Sequence, residues 1–148
     1  MQLVSVRDMP VLVHVTSTGK KRLRVDPVIA HALLAGVLAP ATITIEHVGP
    51  MPRDGAVSAF SFGHAFAVVE TVAALVAANV TAKVPPRTWK HAFGLRSNKG
   101  ESRALASRLL PEAAANFARV KDDGRAEAAL LAIYGALKGN VAHLVSAA

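Results

Sequence analysis

The chain has no cysteine in its 148 residues. That excludes a disulfide framework, a thiolate metal site and a cysteine nucleophile, and it suits a reducing, cytoplasmic setting. Acidic residues are also scarce, ten Asp and Glu against 17 Lys and Arg, for a net charge of +7. With a pI near 10.4 the expected partner is acidic, and nucleic acid is the commonest one for a small basic domain. No low-complexity tract is present, and Met1 runs almost directly into Leu3-Val4-Ser5-Val6, which reads as a start without a targeting leader. The one stretch long enough to span a membrane, Ala59 to Val80, contains Glu70 and His64. A mid-bilayer acid is strongly disfavoured, so the stretch reads as a buried helix and no membrane partner is expected.

What is present is apolar, 52% of the residues, mostly Ala, Val and Leu. Length and composition predict a single globular domain over 1–148. Residues 2–8 alternate enough to predict a strand, interrupted at Pro10, with Val11 to Val15 extending it. Thr16-Ser17-Thr18-Gly19 predicts a turn, followed by Lys20, Lys21, Arg22 and Arg24, cations able to contact phosphates or simply to solvate a hairpin. Asp26-Pro27 is a helix start, and Ile29, Leu33 and Val37 repeat at helical spacing up to the stop at Pro40.

Thr42-Ile43-Thr44-Ile45-Glu46-His47-Val48 then reads as a central strand carrying one carboxylate, closed by Gly49-Pro50. Such a Glu faces water or pairs with a cation, because an unpaired buried carboxylate is too costly to keep ionised. Ser58 is placed to cap a long helix running to about Asn79, with Phe62, Phe66, Glu70 and Ala73 on one stripe. Val80 to Val84 predicts a strand, and Pro85-Pro86 opens a short helix ending at Gly94. That helix offers Arg87, Lys90 and His91 on one face and Trp89 and Phe93 on the other, a set suited to backbone-phosphate contact or to a structural Trp with a wet polar face.

Ser97-Asn98 leads into a helix through Leu110 with Lys99, Arg103 and Arg108 on a basic face. The last helix begins near Asp122 and Asp123, and Glu127 falls one turn after Asp123, beside Leu130, Leu131 and Tyr134. Acids from a strand and from a helix packed on it can converge on one or two Mg²⁺ ions, which prefer oxygen ligands, and two such ions can clamp a phosphodiester. The acids at 122 and 123 equally suit a helix N-terminus, where negative charge is favoured without any metal.

Taken in order, Val6-Arg7-Asp8-Met9-Pro10, Arg24-Val25-Asp26, Ile45-Glu46-His47-Val48 with Met51-Pro52, Phe60-Ser61-Phe62-Gly63, Pro86-Arg87-Thr88-Trp89-Lys90 and Lys121-Asp122-Asp123-Gly124-Arg125-Ala126-Glu127-Ala128 make a pattern. It resembles the RuvC-type Holliday-junction resolvases, in their phage and prophage branch, of the ribonuclease H-like superfamily, from about Val6 to Lys138. The resemblance implies an α/β fold with a mixed sheet and helices on both faces, a homodimer, and cleavage of branched or double-stranded DNA dependent on Mg²⁺ or Mn²⁺. It implies that Glu46, Asp122 and Glu127 are catalytic metal ligands, with Asp123 where many relatives carry His. Arg87, Lys90, Lys99, Arg103, Lys20, Lys21 and Arg22 are the expected phosphate contacts.

Relatives begin with a hairpin whose first strand holds a Gly-Ile-Asp-Pro-Gly type motif bearing an essential metal-ligand Asp. This chain has no counterpart, enters at the following strand, and carries in Asp8 a residue of a different motif. Two expectations follow, a chain shortened relative to the working gene product or a degenerate relative that binds DNA without cutting it. Either leaves an exposed strand edge where the hairpin would pair.

Overall fold

A computed structural model describes residues 2–36, 41–76, 80–96, 99–141 and 144, with the side chains of Val80, Thr81 and Lys99 outside that description. The expected helix ends at Pro40 and Asn79, and the Ser97-Asn98 lead, also lie outside the described residues. The chain is mixed α/β and forms two compact units. One comprises Met9–Ile43 and Val48–Thr81; the other comprises Met1–Asp8, Thr44–His47 and Ala82–Ala148.

The first unit opens with a hairpin. β1 (Val11–Val15) pairs antiparallel with β2 (Lys21–Val25), Val13 opposite Leu23 and His14 opposite Arg22. The turn closes through a hydrogen bond from Gly19 N to Thr16 O at 2.9 Å, and Gly19 takes φ +76°, a conformation that glycine adopts without a Cβ clash. Because side chains alternate across a strand, Val11, Val13, Val15 and Leu23 share one face, and all four are exposed.

α1 (Pro27–Ala35) begins as its sequence predicts: Asp26 Oδ1 accepts from Val28 N at 3.0 Å and Ile29 N at 3.1 Å, and Pro27 fills the first turn. α2 (Ala56–Val76) starts two residues before the expected Ser58 cap. Val25, Ala30 and Val72 form the buried cluster of this unit, with Leu34, Ala65 and Val68 against it.

α2 departs from expectation in its surroundings. Only Val72 and Ala73 are buried, and Phe60 is 72% exposed. A helix apolar on nearly every face can pack only one of them on α1 and β2, so the others meet solvent. Among the described residues it is the one helix long and apolar enough to cross a membrane by length and composition.

The second unit holds the larger core. β3 (Thr42–Glu46) pairs with β4 (Val80–Val84) in a two-stranded sheet, with His47 N donating to Val84 O at 2.8 Å, so among the described strands β3 has one neighbour and is not central. α3 (Pro86–Ala92) follows Pro85 directly. It ends where Gly94, at φ +67°, donates to His91 O while Leu95 N reaches back to Lys90 O at 2.9 Å, closing both orphan carbonyls.

α4 (Lys99–Leu109), 3-10 turns over Pro111–Phe117 and Val120–Asp122, and α5 (Asp123–Ala136) complete the unit. Trp89 and Phe93 meet edge to face, ring centres 6.4 Å apart, amid Leu105, Leu110, Phe117 and Leu130.

Residues 2–10 form no strand. Leu3 and Val6 instead pack on the core around Trp89, and apolar alternation alone does not specify whether the burying surface is a neighbouring strand or a helix layer. α5 comes unusually close to β3. A Cβ on Gly135 would overlap Thr44 Oγ1 and stand 2.9 Å from Thr44 Cβ, so only glycine admits this packing distance.

Candidate functional site

Glu46, Asp122, Asp123 and Glu127, the acids expected at a metal, all lie in the second unit, and each is held by a named donor. Glu46 ends β3 half-buried, and its Oε1 accepts from Trp89 Nε1 at 2.9 Å. Glu127, one turn into α5, accepts from Lys90 Nζ at 2.7 Å. Trp89 and Lys90 are consecutive on α3, and the Lys90 ammonium stands 5.2 Å from the centre of the Trp89 ring. Consecutive residues of one short helix therefore hold the two acids, Trp89 the strand acid and Lys90 the helix acid.

The other two acids are held differently. Asp122 is 2% exposed, and its carboxylate is gripped on both oxygens: Oδ2 accepts from Arg119 N at 2.9 Å and Nε at 3.0 Å, Oδ1 from Arg119 Nη2 at 2.9 Å. Arg125 Nη1 approaches the same Oδ1 at 3.6 Å. The Arg119 side-chain hydrogen bonds hold the Asp122 carboxyl well below its ordinary value, from 3.8 to about 2, against the opposing effect of burial.

Arg125 turns its Nε and Nη2 to Asp8, at 2.7 Å for Nε–Oδ1, which lowers the Asp8 carboxyl in turn. Asp123 accepts from Arg103 Nε at 2.7 Å. The Arg119–Asp122 and Arg125–Asp8 contacts are fork-like, the geometry in which a carboxylate is bound most specifically, whereas Arg103 meets Asp123 through one bond.

Among the described residues no three His, Asp or Glu side chains are grouped closely enough to hold one metal ion. As a donor set, Glu46 and Glu127 fit Mg²⁺, which is commonly held by one or two carboxylates with substrate phosphates completing the shell. Asp122 does not fit, since both of its oxygens are committed to Arg119.

Of the cations expected at phosphates, Arg87 is exposed on α3, while Lys90 and Arg103 are engaged with Glu127 and Asp123. The side chain of Lys99 lies outside the described residues. Lys20, Lys21 and Arg22 are exposed around the hairpin of the first unit.

Trp89 as the holder of Glu46 and Arg119 as the clamp on Asp122 were not foreseen as such. The first pairs residues 43 apart and leaves no local sign; the second is a three-residue spacing in which the Asp122 carboxylate accepts from both the backbone N–H and the guanidinium of Arg119. No protein-family model and no curated protein matches this chain.

Proposed function

We propose that this chain is a RuvC-type, ribonuclease H-like domain acting on branched DNA, with hydrolysis of a phosphodiester dependent on Mg²⁺ or Mn²⁺. The observation that carries the reading is the convergence of Glu46 from β3 and Glu127 from α5 on the consecutive Trp89 and Lys90 of α3. A strand acid and a helix acid held by adjacent residues of one helix, with cationic side chains beside them, is in keeping with metal-assisted attack on a polyanion. Bound there, a divalent ion would activate water and neutralise charge on the phosphate.

The residues of the chain supply the rest. Trp89, wholly buried, fixes the Glu46 carboxylate through its N–H, and exposed Arg87 offers a guanidinium to backbone phosphate. The exposed apolar faces of the hairpin and of α1 and α2 support the expected homodimer, and the lack of cysteine supports a cytoplasmic setting.

A second reading, a DNA-binding or interaction module that does not cut, is favoured by one observation: Asp122 and Asp123 are both occupied by arginines. Four-way-junction assays separate the two. Cleavage with Mg²⁺ or Mn²⁺ that is lost in Glu46→Gln supports the nuclease. Salt-sensitive junction binding without cleavage, unchanged in Glu46→Gln, supports the binding module, and absence of any salt-dependent DNA binding overturns both.

A further inference from the structure

The cations of the two units are not used alike. In the second unit Lys90, Arg103, Arg119 and Arg125 each hold a carboxylate. In the first, Lys20, Lys21, Arg22 and Arg24 stand within five consecutive residues, and none of their side chains has a hydrogen bond or ion pair among the described residues. Residues 9–25 contain no Asp or Glu. The acids flanking them are committed elsewhere, Asp8 to Arg125 and Asp26 to the first amides of α1. Directly across the ribbon from Arg22 is His14, whose buried Nδ1 has no hydrogen-bond partner among the described residues. No acid therefore neutralises the hairpin from either strand.

The hairpin also holds these charges in place. At its base Asp26 N donates to Pro10 O at 2.9 Å, and Val25 sits in the buried cluster. At its tip Thr16 N donates to Lys20 O at 2.9 Å, and Thr16 Oγ1 accepts from Lys20 N at 3.1 Å and lies 3.0 Å from Thr18 Oγ1. From Thr16 to Arg22 there is no large apolar side chain. Because side chains alternate, Lys21 leaves one face of the ribbon and Arg22 the other.

We infer that the β1–β2 tip is an arm that enters a groove of duplex DNA, with Lys20, Lys21 and Arg22 on the phosphates. A groove has phosphates along both walls, and the major groove, about 12 Å wide, admits a two-stranded ribbon. Cations leaving opposite faces of the ribbon meet both walls at once. A flat anionic surface would be met by one face alone, and a bilayer favours apolar side chains at the point of entry, which this tip lacks. The exposed apolar residues lie behind the tip, from Val15 towards the base, and stay clear of the DNA. Contacts to phosphate carry no sequence information, so the arm holds a duplex of any sequence, and it needs no metal. The inference rests on the reading above for the class of its partner, and on none of the acids.

The test uses the full chain, a chelator and a linear duplex without a junction, with binding followed by fluorescence anisotropy across a salt series. Lys20→Ala/Lys21→Ala/Arg22→Ala is expected to bind at least roughly tenfold more weakly at low salt, with the slope of log affinity against log salt shallower by about 2.7, or about 0.9 for each of three phosphates. Arg7→Ala/Arg53→Ala/Lys138→Ala removes the same charge elsewhere and is expected to keep most of the slope. All six residues are exposed, so both variants are expected to melt like the parent chain.

Equal losses in the two variants overturn the arm, as does duplex binding by the hairpin variant that matches the parent. Binding of the parent to phosphatidylserine vesicles but not to the duplex overturns it in favour of a lipid surface. Junction cleavage with Mg²⁺ or Mn²⁺ separates the arm from the nuclease reading. Hairpin-dependent duplex binding by a chain that cuts no junction sustains the arm and overturns the nuclease, whereas cleavage by a chain whose duplex binding ignores the hairpin does the reverse.

Discussion

The two compact units differ in how they use their apolar residues. The second buries Trp89, Phe93, Phe117, Leu130 and Val141 completely, in a cluster that gathers α3, α4 and α5. The first buries Val25, Ala30 and Val72 and leaves Val13, Leu23, Val28, Phe60 and Leu75 more than half exposed. Apolar area removed from water is what stabilises a fold, at roughly 25 cal/mol per Å², so the second unit carries its own stability. The first presents a surface of the kind that marks an association face. Glu46, Asp122, Asp123 and Glu127 follow the same division, lying in the unit whose core contains Trp89, the partner of Glu46.

The comparison breaks most visibly at Trp89. Trp89→Ala empties the centre of the large core and removes the donor to Glu46, and about 3–5 kcal/mol of stability is expected to be lost in denaturant unfolding. A loss no larger than that of a surface substitution would mean that the core does not carry this unit. Gly135→Ala comes next, because its Cβ would meet Thr44, and about 1–3 kcal/mol is the ordinary cost of overpacking. An unchanged melting temperature would show that β3 and α5 adjust freely.

Acid sharpens the contrast. Asp122 titrates near 2 in the fold, below the roughly 3.9 of an unfolded chain, so the unfolded state binds more protons between those values. Its contribution is present above about pH 4 and is lost as pH falls towards 2. Asp122→Asn is expected to flatten the fall in stability across that window, and an unaltered slope would assign acid sensitivity elsewhere.

Lys138 occupies φ +51° just beyond α5, where its neighbour Gly139 N reaches Tyr134 O. Lys138→Gly is expected to raise stability by up to about 1 kcal/mol, since a side chain at positive φ is strained and glycine is not. The smallest effect belongs to the first unit. Leu23 is 69% exposed, and Leu23→Ala is expected to change stability by less than about 0.5 kcal/mol at concentrations where the chain is monomeric.

Much of the local structure was legible because its signals are local. Asp26-Pro27 caps α1, Pro85-Pro86 opens α3, Gly94 closes it, and the β-branched run before Glu46 is β3. Burial was less legible. The apolar composition of α2 suggested a buried helix, but composition does not say how many neighbours exist to bury it.

Residues 2–8 show the same limit, where apolar alternation served a core contact and not a ladder. The acids were found from their positions on strand and helix, while their partners were not. Glu127 meets Lys90 across 37 residues, and charge counting had assigned that lysine to DNA. Pairings over such distances are decided by packing, which no window of sequence contains.

The glycine at 135 has a consequence beyond packing density. It acts as a key that sets the phase of α5 against β3: Thr44 and Glu46 are about 7 Å apart along the strand, and Gly135 and Glu127 about 12 Å apart along the helix. The helix between them is a ruler with a fixed zero. One residue inserted anywhere between Glu127 and Gly135 would turn the acid by about 100° around the helix axis and carry it away from Lys90, even if every core leucine found a substitute. This stretch can therefore vary in composition but not in length.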